Sequence, residues 1–180
     1  MALKATIYKA DLQIADMDRH YYQDHSLTIA RHPSETDERV MIRLLAFALH
    51  ADPQLAYGKD LFDVEEPALW LKDLTGAIDT WIEVGQPDER RLMKASGRAE
   101  HVIVYCYSAT SHIWFKGLAS KIERAGNISI IHVAPESAAQ LEALAQRTMG
   151  LQCTIQDGQV WLTDGARTVQ VERATLLAER

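Results

Sequence analysis

The sequence predicts an α/β domain with a β-rich extension, and three observations point there. Between residues 77 and 134, strand-like and helix-like segments alternate as β-α-β-α-β, the order that builds a parallel sheet with right-handed crossovers. Residues 102–107 and 128–133 are unbroken apolar runs, the composition of strands buried on both faces. Both ends of the chain instead alternate with the two-residue period of half-buried strands.

Taken in order, residues 5–14 read as a strand with Ile7 and Tyr8 near its middle. Asp16, Met17 and Asp18 supply a turn, and 21–31 returns as a second strand with Leu27 and Ile29 on one face. His32-Pro33-Ser34 breaks that strand. Ser34 is a good N-cap residue, Asp37 stands three positions later as in a capping box, and acids crowd the first turn. The spacing predicts a helix to about His50, with Val40, Leu44, Leu45 and Ala48 on its apolar side, stopped by Asp52-Pro53. Residues 54–76 carry weaker signals: a short strand at 55–57 and a helical turn over 66–70.

Residues 77–84 are β-branched and alternating, so a strand, and 88–99 has helical composition. A helix over 114–125 separates the two apolar strands. Pro135-Glu136-Ser137 opens another helix, which carries Leu141, Leu144 and Ala145. Three short strands close the chain at 151–155, 160–163 and 168–173, joined by Asp157-Gly158 and Asp164-Gly165, dipeptides that favour tight hairpins. The two ends are expected to pair with each other in a second, antiparallel sheet. The expectation is one domain over 1–180, with its core at about 33–150 and the extension at about 1–32 and 151–180.

Composition narrows the functional classes. With 180 residues, 47% hydrophobic and 24% charged, the chain can bury a real core and is not expected to be disordered. Charges interrupt every apolar run well before the ~20 residues of a membrane span, and the start of the chain lacks an apolar signal core. A cytoplasmic, monomeric protein without a membrane partner is therefore expected. Cys106 and Cys153 lie far apart, which argues against a cysteine zinc site or a disulfide scaffold. The net charge of −6 lowers the prior for avid, sequence-blind nucleic-acid binding, although metal-binding carboxylates would count on the same side of that sum. Glycine-rich phosphate loops, dinucleotide fingerprints and nucleophile elbows are all lacking, so no nucleotide cofactor is expected.

The candidate chemistry centres on the strand at 77–84. Asp79, Trp81 and Glu83 share one face, and carboxylates drawn from water need a partner such as a hard cation. Glu38, on the first helix, adds a third acid, and Lys94, eleven residues beyond Glu83, adds a cation. Three acids and a lysine could hydrolyse a phosphodiester, the acids holding Mg²⁺, with Mn²⁺ as a substitute, and the lysine offsetting charge on phosphorus oxygens. Each also has an ordinary use: Glu38 at a helix N-terminus, Lys94 on a solvated face, Asp79 and Glu83 on a surface edge. Gln86 could touch the attacking water or cap the next helix. Arg39, Arg43, Arg90 and Arg91 could hold phosphate, but pairing with Glu35, Asp88 and Glu89 on helix surfaces is favoured. The four tryptophans could stack on bases, though core filling is the commoner use.

The stretch 30–39 (ARHPSETDER), the stretch 78–91 (IDTWIEVGQPDERR), the stretch 147–158 (RTMGLQCTIQDG) and the opening ten residues together resemble the bacterial YaeQ family, in the same order and over essentially the whole chain. The resemblance implies a variant of the PD-(D/E)XK, restriction-endonuclease-like fold: a mixed sheet flanked by helices, with an additional β-sheet. It implies that Glu38 matches the acid of the first core helix, Asp79 the acid of the PD element and Glu83 that of the (D/E)XK element. Two departures stand out. Gly85 occupies the position where the motif lysine is expected, so Lys94 would have to supply it. Asp79 and Glu83 are also only four residues apart on one strand, ~13 Å on a straight run, a gap one Mg²⁺ does not span unless a bulge shortens it, a water relays it or Asp73 takes the first acid's place. The expected function is a nuclease-like protein with Mg²⁺-dependent hydrolysis of nucleic acid. The alternative is a catalytically silent derivative that binds nucleic acid or protein.

Overall fold

The computed structural model describes residues 4–59 and 63–180, and these fall into two compact units, each built from two stretches of chain. The first unit comprises residues 1–49 and 136–172, and the second comprises 50–135 and 173–180. The boundary at 49/50 runs through the stretch that the sequence alone reads as one core.

In the first unit, β1 (Thr6–Asp16) and β2 (Tyr21–Arg31) form a long antiparallel hairpin in unbroken register from Thr6↔Arg31 to Asp16↔Tyr21. The C-terminal strands β8 (Thr148–Gln156), β9 (Gln159–Thr163) and β10 (Thr168–Val171) complete a five-stranded sheet of order β10-β9-β8-β1-β2. The two ends of the chain do share a sheet. It is mixed rather than wholly antiparallel, because β1 meets β8 in parallel. Alternation decides which face is dry: Ala10, Leu12 and Ile14 of β1 and Leu151, Cys153 and Ile155 of β8 are all buried.

Helix α1 (Asp37–Leu49) and helix α4 (Pro135–Glu142) accompany that sheet. Every residue of α1 from Val40 to Ala48 is buried, so the helix is dry around its whole circumference rather than along one stripe. Its cap also differs from expectation. Thr36 Oγ1 accepts the Arg39 N–H at 3.1 Å, whereas the Ser34 hydroxyl pairs with His32 Nδ1 at 2.8 Å.

The second unit is the α/β layer. Strands β5 (Ile78–Val84), β6 (Ala99–Cys106) and β7 (Ile128–Val133) run parallel, as the β-α-β-α-β order predicts. β3 (Leu55–Tyr57) and β4 (Leu69–Lys72) extend the sheet antiparallel on one side. The 66–70 stretch is thus the approach to a strand, not a helical turn. Gly58 permits that approach, since a Cβ there would lie 2.1 Å from the Pro67 carbonyl oxygen. On the other side stands β11 (Arg173–Leu177), giving the order β11-β7-β6-β5-β4-β3. The last predicted strand therefore divides at residue 172: its first half stays with the end sheet and its continuation crosses to the α/β sheet.

Helices α2 (Glu89–Arg98) and α3 (Ser111–Ile122) follow β5 and β6, and a 3-10 turn at 123–125 completes the stretch read as helix. Trp81, Leu92, Ala95, Val104, Leu118 and Ile130 belong to one buried apolar cluster. Among the described residues, no helix is long and apolar enough to cross a membrane.

Candidate functional site

Glu83 is an acid at the buried end of β5, where the burial pattern passes from partly exposed at Ile78–Thr80 to fully buried at Trp81–Val84. Only 3% of the residue is exposed, so its charge must be met by the protein. Two donors meet it. The Trp81 indole N–H donates to Glu83 Oε1 at 2.7 Å along the same strand face, and Arg91 Nε donates to the same oxygen at 2.7 Å from the first turn of α2. Arg91 also donates to the carbonyls of Asp63 (3.2 Å) and Glu66 (3.1 Å). The local sequence places it: Asp88 caps α2 by accepting the Arg91 backbone N–H at 2.8 Å, fixing the backbone while the side chain crosses to β5. Arg91 therefore pairs with the strand acid and not with Asp88 or Glu89 on the helix surface. Glu89 faces Lys121, at 3.9 Å.

Lys94 lies one turn further along α2, half-exposed, and donates to Glu65 Oε1 at 2.6 Å. That hydrogen bond, followed by the ammonium charge, holds the exposed Glu65 carboxyl below the usual carboxylate range. Gly85 sits where the motif lysine would stand, at φ +114°, a backbone region that disfavours any residue with a Cβ. Gln86 is tied to α3, its Oε1 accepting from the hydroxyls of Ser111 (3.1 Å) and Thr110 (3.4 Å). Trp114 Nε1 donates to the Pro87 carbonyl at 2.9 Å beside it. Gln86 thus positions the β5–α2 connection.

Asp79 is the extra residue of a β-bulge, because Leu71 pairs with Thr80 while Lys72 pairs with Ile78. Its Oδ2 accepts from Thr80 Oγ1 at 2.7 Å. Its near neighbours are Glu100 and His101, the three offering ligand-type atoms all within 4.8 Å, a group that does not include Glu83. His101 Nδ1 is bonded in turn to Glu179 Oε1 at 2.7 Å. Asp73 belongs to the hairpin turn at the Ile78 end of the ladder, opposite the Glu83 end, and is occupied there by Thr75 and Ala77. Thr75, bonding through its hydroxyl and backbone N–H, keeps the Asp73 carboxyl below its ordinary range.

Glu38 stands in the first unit, half-buried at the start of α1, and the other four candidates stand in the second. Burial, then the Glu142 carboxylate, pushes its carboxyl above the usual range. Arg39 and Arg43 do pair with Glu35 as expected, but in the interior. Arg43 grips both carboxylate oxygens at 2.8 and 2.7 Å, and Arg39 Nη1 adds a bond at 2.7 Å. A depression of about 480 Å³ lies in the first unit, lined by Gln13, Tyr22, Asp24 and Gln152 among others, and holds none of the candidate residues.

Mg²⁺ takes oxygen ligands in near-octahedral array at ~2.0–2.1 Å. At Glu83 a guanidinium and an indole N–H already share one carboxylate oxygen, Oε1. Among the described residues, Glu83 belongs to no group of three or more ligand-type side chains. Sequence reasoning missed Arg91 as the cation of this centre. The available signal was its place one turn into the helix that follows the acidic strand.

The family model described as "YaeQ protein" matches residues 1–173. This chain belongs to the YaeQ family. Among its relatives, the uncharacterized protein YaeQ of Escherichia coli is 47% identical over 172 residues, covering 95% of each chain. The uncharacterized YaeQ of Salmonella typhi is 46% identical over 173 residues, covering 96% of each. The solved structure of YaeQ from Xanthomonas axonopodis pv. citri is similar at a TM-score of 0.92 and 44% identity, covering 97% of this chain and 99% of that one. YaeQ from Pseudomonas syringae gives 0.93 and 38%, covering 97% of each. The fold is therefore shared with solved YaeQ proteins.

Proposed function

We propose that this YaeQ chain is a catalytically silent, nuclease-like module that binds a macromolecular partner without hydrolysing it. The observation that carries this reading is the part-buried pair of the buried Glu83 with Arg91, the Trp81 indole sharing the same oxygen. A carboxylate already compensated by a guanidinium offers less uncompensated charge to a metal than a bare one does. Gly85 in the lysine position, Lys94 engaged with Glu65 and Gln86 bonded to α3 support it further. The acidic balance of −6 favours a protein partner over a nucleic-acid backbone.

Calorimetric titration of the intact protein with Mg²⁺ and Mn²⁺ tests the reading, alongside incubation with single-stranded, duplex and branched DNA and with RNA. The expected result is no heat assignable to Glu83 and no cleavage. Metal uptake that disappears in Glu83→Ala, together with cleavage of any of these substrates, restores the metal-dependent hydrolase with Glu83 as a ligand.

A further inference from the structure

We propose that Arg91 is an internal cation seated in the carboxylate centre at the end of β5, and that this seat and a divalent ion at Glu83 exclude each other. The inference rests on the reading above and extends it from what the site does not do to what keeps it from doing so. All three guanidinium nitrogens of Arg91 are engaged. Nε meets Glu83 Oε1, Nη1 the Asp63 carbonyl and Nη2 the Glu66 carbonyl. One carboxylate oxygen and two backbone carbonyl oxygens thus converge on a single positive group. Carboxylate and carbonyl oxygens are also the ligands that hard divalent cations take. A planar fork with fixed donor directions suits three separated oxygens, whereas an ammonium is a point charge that reaches them one or two at a time.

Three pieces of local structure hold the guanidinium there. Asp88 fixes the first turn of α2, the Asp63–Glu66 segment turns two carbonyls toward it, and the Trp81 indole N–H shares the Glu83 oxygen. With one-quarter of its side chain exposed, Arg91 remains within reach of solvent ions. An ion that takes the guanidinium's place on Glu83 Oε1 pushes Arg91 out and frees two carbonyls, so metal binding there and the order of the 63–66 segment are coupled in opposite directions.

The test is Mn²⁺ titration of the full chain, followed by calorimetry and by paramagnetic broadening of the Trp81 indole resonance. Arg91→Met and Arg91→Lys are compared with the wild type, each also combined with Glu83→Gln. The expected result is a gain in Mn²⁺ affinity of at least about tenfold in Arg91→Met, a smaller gain in Arg91→Lys, and loss of both gains with Glu83→Gln. Folded variants that bind Mn²⁺ no better than the wild type overturn the proposal. If a variant is unfolded in chelator, refolding by Mn²⁺ supports the proposal and failure to refold counts against it. The two readings fail separately: metal uptake at Glu83 by the wild type sinks the silent-module reading, while equal affinity in wild type and Arg91→Met sinks the exclusion.

Discussion

Gly85 shows how one backbone dihedral bears on the chemistry available to a strand. Its N–H donates to the Tyr105 carbonyl at 2.9 Å, which holds the end of β5 against β6 while φ stands at +114°. A Cβ at this position would meet no atom within 4 Å, so the obstacle to a side chain is conformational rather than spatial. Restoring the motif lysine by Gly85→Lys is therefore expected to destabilise the fold by about 1–3 kcal/mol, without gain of nuclease activity. Urea unfolding monitored by tryptophan fluorescence measures the first part. A Gly85→Lys protein of unchanged midpoint would show that the backbone tolerates a side chain here.

Helix α1 carries its own buried charge. Arg43 is 3% exposed in a run of nine buried residues, and it is tolerated because Glu35, itself 5% exposed, grips it with both oxygens while the Ala30 carbonyl accepts a further bond at 3.0 Å. The same pair joins the segment before the helix to its second turn and to the end of β2. Removing one member of a buried pair leaves the other charge uncompensated, at a cost of about 3–5 kcal/mol. Arg39 still pairs with Glu35, so Arg43→Met is expected to cost on the order of 3 kcal/mol, the low end of that range. The double variant Glu35→Gln/Arg43→Met should recover part of the loss. Chemical denaturation of the three proteins decides it, and a fully stable Arg43→Met would show that the pair is dispensable.

At the scale of the whole molecule, each unit is assembled from two separated stretches of chain, and β11 returns to the second unit after β10 has completed the first sheet. β11 is held antiparallel to β7, and beyond it Glu179 anchors to His101 and Arg180 N–H to the Gly126 carbonyl at 2.9 Å. The Glu179 hydrogen bond, against the opposing pull of burial, raises the His101 imidazole above its ordinary value, with further help from Glu179, Asp79 and Glu100 charge. A raised histidine contributes stability below its unfolded value of about 6.5 and loses it as pH rises through the higher folded value. Amide exchange at residues 176–180, corrected for its intrinsic pH dependence, is thus expected to quicken over that window. His101→Gln should flatten the response, and a flat profile in the wild type would refute the anchor.

Much of the fold was legible in the sequence because periodicity is local: the apolar runs of β6 and β7, the alternation of β1 and the helical composition after Asp88 need no distant partner to be read. So was the alternation that puts Trp81 and Glu83 on one face of β5. Family resemblance rested on local words as well. What only the tertiary structure decided depends on side chains far apart in sequence. A bulge at Asp79 sets its neighbourhood beside Glu100 and His101, and the β4–β5 register carries Asp73 to the far end of the ladder. Arg91 reaches back across the β5–α2 connection to Glu83 and on to the 63–66 carbonyls. A sequence states which charges exist, but the low-dielectric interior decides which of them must find each other, and that choice is made by packing rather than by spacing along the chain.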